Sequence, residues 1–177
     1  RRGKLCCAKE LVSVNTSVGW IVAEVVSLDS AGSLLNYGEI SGSSRLAVFV
    51  AGDLSNVAEA TIAAGEQAQL ITLRKLINEA SIRAKKVKIE SCSVIENKRR
   101  GVIAGEVVGI SGDVRNSGVI RGRDVAISGR SLWQGAEGRV IAGHELDCSL
   151  SSRVENAGIL AAMQDLAITS SGEVVNL

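Results

Sequence analysis

The chain has 177 residues, a net charge of +1, and 46% hydrophobic side chains of which almost none are aromatic, at 2% overall. That length holds one ordinary domain with a sizeable core. A compact enzyme usually wants more rings to fill its core and shape a pocket, rings to stack nucleobases are missing, and the balanced charge gives no general case for nucleic acid or membrane. No run of about 18 apolar residues exists to form a transmembrane helix, and Pro is absent, as suits strand ladders to which it cannot donate.

Residues 1–18 read as an irregular or distorted first coil, with Cys6 to Val14 as an early, altered copy of a repeated unit. From residue 19 to 177 three short phrases come round in order. The first is apolar–any–Asn: "LLN" at 34, "LSN" at 54, "LIN" at 76, "IEN" at 95, "VRN" at 114, "VEN" at 154 and "VVN" at 174, with "LWQ" at 132 substituting Gln134. The second is apolar–any–small: "IVA" at 21, "ISG" at 40, "IAA" at 62, "IRA" at 82, "IAG" at 103, "IRG" at 120, "IAG" at 141 and "LAA" at 160. The third is a short alternating strand: "VKI" at 87, "VGI" at 108, "VAI" at 125, "LDC" at 146 and "LAI" at 166.

Apolar residues two apart mark a strand with one buried face. Strands this short are marginal as hairpins but stable when each coil pairs with the next. The expected fold is all-β, a parallel β-helix of about eight coils of about 20 residues. The stretch "LRKLINEASIRAKKVKI" from Leu73 could offer a helical stripe, but it keeps the three β phrases in order and is read as strand. The recurrent Asn side chains suit a tight turn and can hydrogen-bond from coil to coil. Asn36, Asn56, Asn78, Asn97, Asn116, Asn156 and Asn176 are therefore the expected turn ladder. The small residue closing the second phrase is expected where a Cβ is crowded.

Other residues carry weaker signals. Glu24, Glu66, Glu106, Asp124, Glu145 and Asp165 precede the third phrase at similar phase. Stacked acids could hold a cation or, as a pair about 5 Å apart, hydrolyse a glycosidic bond; a feature of nearly every copy is read as architectural. His144 is expected in a solvent-facing turn, Cys148 in a core position held elsewhere by Ile, and Cys92 too far from it for a disulfide. No metal-ligand spacing occurs among the cysteines, and no cofactor is expected. Arg83, Lys85, Lys86, Lys88, Lys98, Arg99 and Arg100 form the densest basic stretch, a candidate belt for an anionic glycan or cell-surface receptor, or else a solvated face. Trp20, Tyr37, Phe49 and Trp133 do not cluster.

"VRNSGVIRGRDVAISG" from Val114 and "VENAGILAAMQDLAITSSGEVVNL" from Val154 resemble the repeats of filamentous-haemagglutinin-type exoproteins, with "LSNVAEATIAAGEQAQLITL" from Leu54 a looser match. The resemblance covers roughly 34–177 and rests on the pattern Asn–x–Gly–x–Ile–x–Ala–x–x–acid–Leu–x–Ile. It implies a right-handed β-helical shaft of a secreted adhesin or contact-dependent toxin, exported across an outer membrane by a partner transporter. The family's Pro-containing secretion motif is not in this sequence, and four cysteines depart from the family's habit. A start without Met and the unfinished "VVNL" suggest a piece of a longer solenoid, flanked by further coils of the same chain and prone to end-to-end association in isolation. The expected role is thus a non-enzymatic stalk at a bacterial surface. The alternatives are a β-helix enzyme acting on polysaccharide and a cytoplasmic bactofilin-like polymer, to which "GVIAGEVVGISGDV" at 101 bears some likeness.

Overall fold

A computed structural model describes the backbone of residues 2–7 and the whole of residues 12–177. The described residues form eighteen strands, from Arg2–Cys7 to Val174–Asn176, and no helix. Every pairing is parallel, and partners lie about one coil apart in sequence, as in Leu34 with Leu54 and Leu54 with Leu76. Parallel neighbours so close in sequence can arise only if the chain winds around an axis. The fold is a β-solenoid of about eight turns, as the repeat period requires. The stretch from Leu73 is strand, including Leu76–Asn78, Ser81–Arg83 and the start of Lys86–Asn97.

Each coil contributes three inward-facing strands, and each inward position stacks on the same position of its neighbours. Leu34, Leu54, Leu76, Ile95, Val114, Leu132 and Val154 form one row and are all buried. Ile40, Ile62, Ile82, Ile103, Ile120 and Val140 form the second. The third strand gives two rows, one from Val26 to Leu146 and one from Leu28 through Ile89 and Ile127 to Cys148. Burying each such side chain contributes about 1.5–3 kcal/mol, which explains why aliphatic residues alone suffice for the core. The third phrase also exists in the early coils, as "VSL" at 26, "LAV" at 46 and "AQL" at 68, where Ala68 weakens the apolar pattern.

The second phrase near 141 needs a one-residue correction. Val140 pairs with Ile120 and is buried, whereas Ile141 faces outward at 39% exposure. The copy reads "VIA", not "IAG"; two adjacent β-branched residues make the phase ambiguous in sequence. In the segment expected to be irregular, Ser13–Asn15 pairs in register with Leu34–Asn36, and Arg2–Cys7 pairs with Val25–Ser30. Residues 8–11 and the side chains of Cys6 and Cys7 lie outside the described residues.

The turns after the Asn positions alternate in length. Asn36–Gly38, Asn78–Ala80, Asn116–Gly118 and Asn156–Gly158 are short. Between them Asn15–Gly19, Asn56–Ala60, Asn97–Gly101 and Gln134–Gly138 each carry two extra residues. Every long turn closes on its own backbone bond, as in Gly101 N to Lys98 O at 2.8 Å and Gly138 N to Gly135 O at 2.8 Å. With coils about 4.8 Å apart, the long turns project from the rod every ~10 Å.

Candidate functional site

From Asn15 to Gln134 the amide side chains of this position point into the solenoid, where each must find partners for one oxygen and two N–H groups. They find them along the axis. Asn15 donates to Asn36 at 2.8 Å, Asn36 to Asn56 at 2.9 Å, Asn56 to Asn78 at 2.9 Å, Asn78 to Asn97 at 2.9 Å and Asn97 to Asn116 at 2.8 Å. Asn116 donates to Gln134 Oε1 at 2.9 Å. There the ladder changes: the longer Gln134 side chain donates to the backbone oxygen of Ile159 at 2.8 Å, and Asn156 to Asn176 at 2.8 Å begins a second, more exposed run. The amide N–H groups also reach backbone carbonyls of neighbouring coils, as from Asn56 to Ser81 O at 3.1 Å. The Asn oxygen also caps its own turn, accepting from Gly38 N and Gly118 N at 3.2 Å. Asn15 extends the ladder by one coil beyond the seven expected positions. Its phrase is "SVN", whose polar first residue conceals it.

The six acids before the third strand fall into two rows rather than one. Asp124, Glu145 and Asp165 are stacked in register. Glu66 and Glu106 sit one residue earlier, bonded through the backbone to residues of the adjoining coils, Glu106 to Lys85 and Arg123 among them. Glu24 also stands one residue ahead of Val25, which pairs with Arg45. From Glu66 through Lys85 and Glu106 to Arg123 this earlier row alternates acid and base, and Glu66 binds Lys85 Nζ at 2.7 Å. That hydrogen bond, with the charge of Glu66, raises the Lys85 pKa. His144 belongs to the same row and is not a free turn residue. Its Nδ1 lies 2.9 Å from Asp124 Oδ1, with its side chain 38% exposed. Its neighbour in sequence, Glu145, is held in the strand next to it, so the pairing is set by the stacking of coils. No group of three or more His, Cys, Asp or Glu suited to a metal occurs among the described residues.

The seven basic residues are divided between different parts of the coil. Lys86 and Lys88 face outward on the third strand, and Lys85 precedes it. Arg83 ends the second strand. Lys98, Arg99 and Arg100 occupy a long Asn turn. Most are matched by acids: Lys85 by Glu66, Lys88 by Glu90, Lys98 by Glu96 and Arg99 by Glu137. The last pair joins two long turns across an intervening coil. The hydrogen bond from Lys98 lowers the Glu96 pKa despite partial burial, aided by the charges of Lys98, Lys75 and Arg115. Arg83, Lys86 and Arg100 make no ion pair among the described residues. Exposed pairs of this kind contribute about 0–1 kcal/mol each, so their effect is on surface charge more than stability.

Cys148 takes the core position expected of it, and burial pushes its thiol up to about 12. Cys92 is a free thiol on an exposed corner. Trp20, Tyr37, Phe49 and Trp133 are all exposed at the surface. No family model matches the chain, and neither a curated protein nor a solved structure does.

Proposed function

We propose that this β-solenoid serves as a shaft segment, holding functional domains of a long secreted adhesin or contact-dependent toxin away from a bacterial surface. One observation carries the reading: the inward side of the rod is aliphatic rows and an amide ladder from coil to coil, and these groups resist extension without offering a reactive group. Parallel ladders load every coil alike, so the rod is stiff along its axis. In this reading the chain is not an enzyme, an outer-membrane transporter exports the parent, and further coils of the same chain stack on both ends. In the 177-residue chain by itself Leu166 is 48% exposed where Leu146 beneath it is fully buried, and two copies can associate through this row. Sedimentation of the 177-residue chain then gives concentration-dependent end-to-end association that Leu166→Lys abolishes.

The deciding experiment concerns location. An epitope inserted between Ala136 and Glu137, in a projecting turn, is displayed on the parent in its source cells. Antibody labelling and protease removal on unpermeabilised cells are the expected outcome. Protection until lysis, with filaments in the cytoplasm, sinks the surface reading and favours an intracellular polymer.

A further inference from the structure

From the second inward residue of the third strand to the first of the next Asn phrase, the chain usually takes six positions. Leu28 to Leu34, Val48 to Leu54, Leu70 to Leu76, Ile89 to Ile95 and Cys148 to Val154 all do so. Two adjacent coils depart: Ile110 reaches Val114 in four positions and Ile127 reaches Leu132 in five. Gly112 and Gly129 permit the shortcut. Their φ angles are +146° and +151°, and a Cβ on Gly129 would lie 2.1 Å from the Gly112 carbonyl oxygen. The corner recedes over these two coils while the corners on either side keep full length. Beside the receding corner, on the outward side of the Asn-phrase strands, lies an open surface groove of about 480 Å³, within the size range of ligand sites.

Its lining is unlike the rest of the rod. Arg115, Trp133 and Glu155 stand side by side in one outward row, and Asp113, Arg130 and Arg153 complete the walls. Trp133 is 42% exposed, with its Cη2 edge seated over Gly135, where an added Cβ would come within 2.9 Å. Arg130 is committed to Asp113 through Nη2 at 2.6 Å and Nε at 3.1 Å. Arg153 is shared between Glu155 at 3.3 Å and Glu173 at 3.5 Å. Arg115 makes no ion pair among the described residues; Glu96, next to it in the row and within reach of its charge, is paired with Lys98. Three Arg against Asp113 and Glu155 leave the groove at a net +1.

We propose that this groove binds an acidic saccharide, one uronate unit at a time. The uronate carboxylate pairs with Arg115, the C–H face of the sugar lies on Trp133, and sugar hydroxyls donate to Asp113 and Glu155. A net +1 matches one carboxylate. Two carboxylates in the walls repel a phosphate backbone, and a single ring cannot stack successive bases, which disfavours nucleic acid. The site stands apart from the shaft reading and from the basic residues between Arg83 and Arg100.

The test is a titration of the whole 177-residue chain with tetragalacturonate, following Trp133 fluorescence in a Trp20→Phe background. A saturable change is expected, with Kd on the order of 0.1–1 mM, and none with maltotetraose. Arg115→Ala weakens binding about tenfold. Trp133→Ala abolishes it, checked by isothermal calorimetry, while Trp133→Phe keeps part of it and Arg45→Ala, remote from the groove and the basic stretch, leaves it unchanged. Circular dichroism confirms that each variant is folded. The proposal fails if neutral and acidic sugars bind alike, if nothing binds, or if Arg115→Ala and Trp133→Phe change nothing. It also fails if a heparin fragment or oligo-dT binds more tightly than the uronate and independently of Arg115.

Discussion

Asn56 and Asn78 stand 22 residues apart in sequence, yet the amide of one donates to the oxygen of the other at 2.9 Å inside the rod. Each amide is both donor and acceptor, so removing one strands a partner on each side. In Asn78→Ala, Asn56 loses its acceptor and Asn97 its donor, in a site with no solvent exposure. The expected loss is about 2–4 kcal/mol, from a penalty of about 1–3 kcal/mol per unsatisfied buried group. Asn78→Asp can still accept from Asn56 but sets its carboxylate oxygen against Asn97 Oδ1, and it destabilises further as the group ionises. Asn176→Ala, at an exposed position, costs under about 1 kcal/mol. Urea unfolding of the three variants checks the ranking; equal effects at Asn78 and Asn176 contradict it.

Glycines with similar phrases differ sharply in what they tolerate. At Gly118 an added Cβ would sit 2.3 Å from the backbone oxygens of both Gly101 and Lys98. Those are backbone atoms of the coil beneath and cannot move singly, so Gly118→Ala is expected to cost several kcal/mol, in the range of about 3 or more. At Gly143 the nearest atoms are 3.8 Å away. Gly143→Ala is expected to stabilise by about 0.4–1 kcal/mol through the unfolded chain. Thermal melts of the two variants should move in opposite directions.

The fold was legible because it repeats. A period of about 20 residues with apolar spacing of two admits few architectures, and Leu54, Leu76 and Ile95 announce it without any structure. Phase failed where identity was blurred: Val140 and Ile141 are both β-branched, and only stacking on Ile120 tells which points inward. Asn15 was hidden by Ser13 in place of Leu. The corners were hidden for another reason. The alternating long and short Asn turns are offset by other corners, so the spacing between Asn residues stays near 20 and conceals both features. The groove beside Trp133 lies next to the shortened corners at Gly112 and Gly129, and a shorter corner leaves only a spacing of about 18 or 19 as its trace. His144 meets Asp124 because the coils stack, which no local pattern records.

Ser81 is the one buried side-chain polar atom without a partner among the described residues. It stands in a row with Thr61 and Val102, so its site suits a β-branched side chain. Ser81→Val removes an unsatisfied hydroxyl and adds apolar contact, with an expected gain of about 1 kcal/mol. A lower melting temperature for the variant would show that the hydroxyl has a partner in solution.

Cys148 predicts how the rod responds to alkali. Its thiol is neutral when protonated, and burial raises its pKa from 9.0 to about 12 in the folded chain. Below about pH 9 both folded and unfolded chains keep the proton, and the contribution to stability is intact. Between about 9 and 12 the unfolded chain loses the proton while the folded chain retains it. The unfolded chain then holds fewer protons than the folded one, so stability falls as pH rises, by roughly tenfold in the folding equilibrium per pH unit. Cys148→Val removes the titrating group and fits a row otherwise filled by Ile110, Ile127 and Ile168. At pH 8 the variant is expected within about 1.5 kcal/mol of the natural chain. Above pH 9 the natural chain should lose stability relative to the variant, while Lys and Tyr titrations, common to both, cancel. Parallel denaturation curves across that range would mean that Cys148 ionises in the folded rod as readily as in the open chain, and that the core row at this coil is wet.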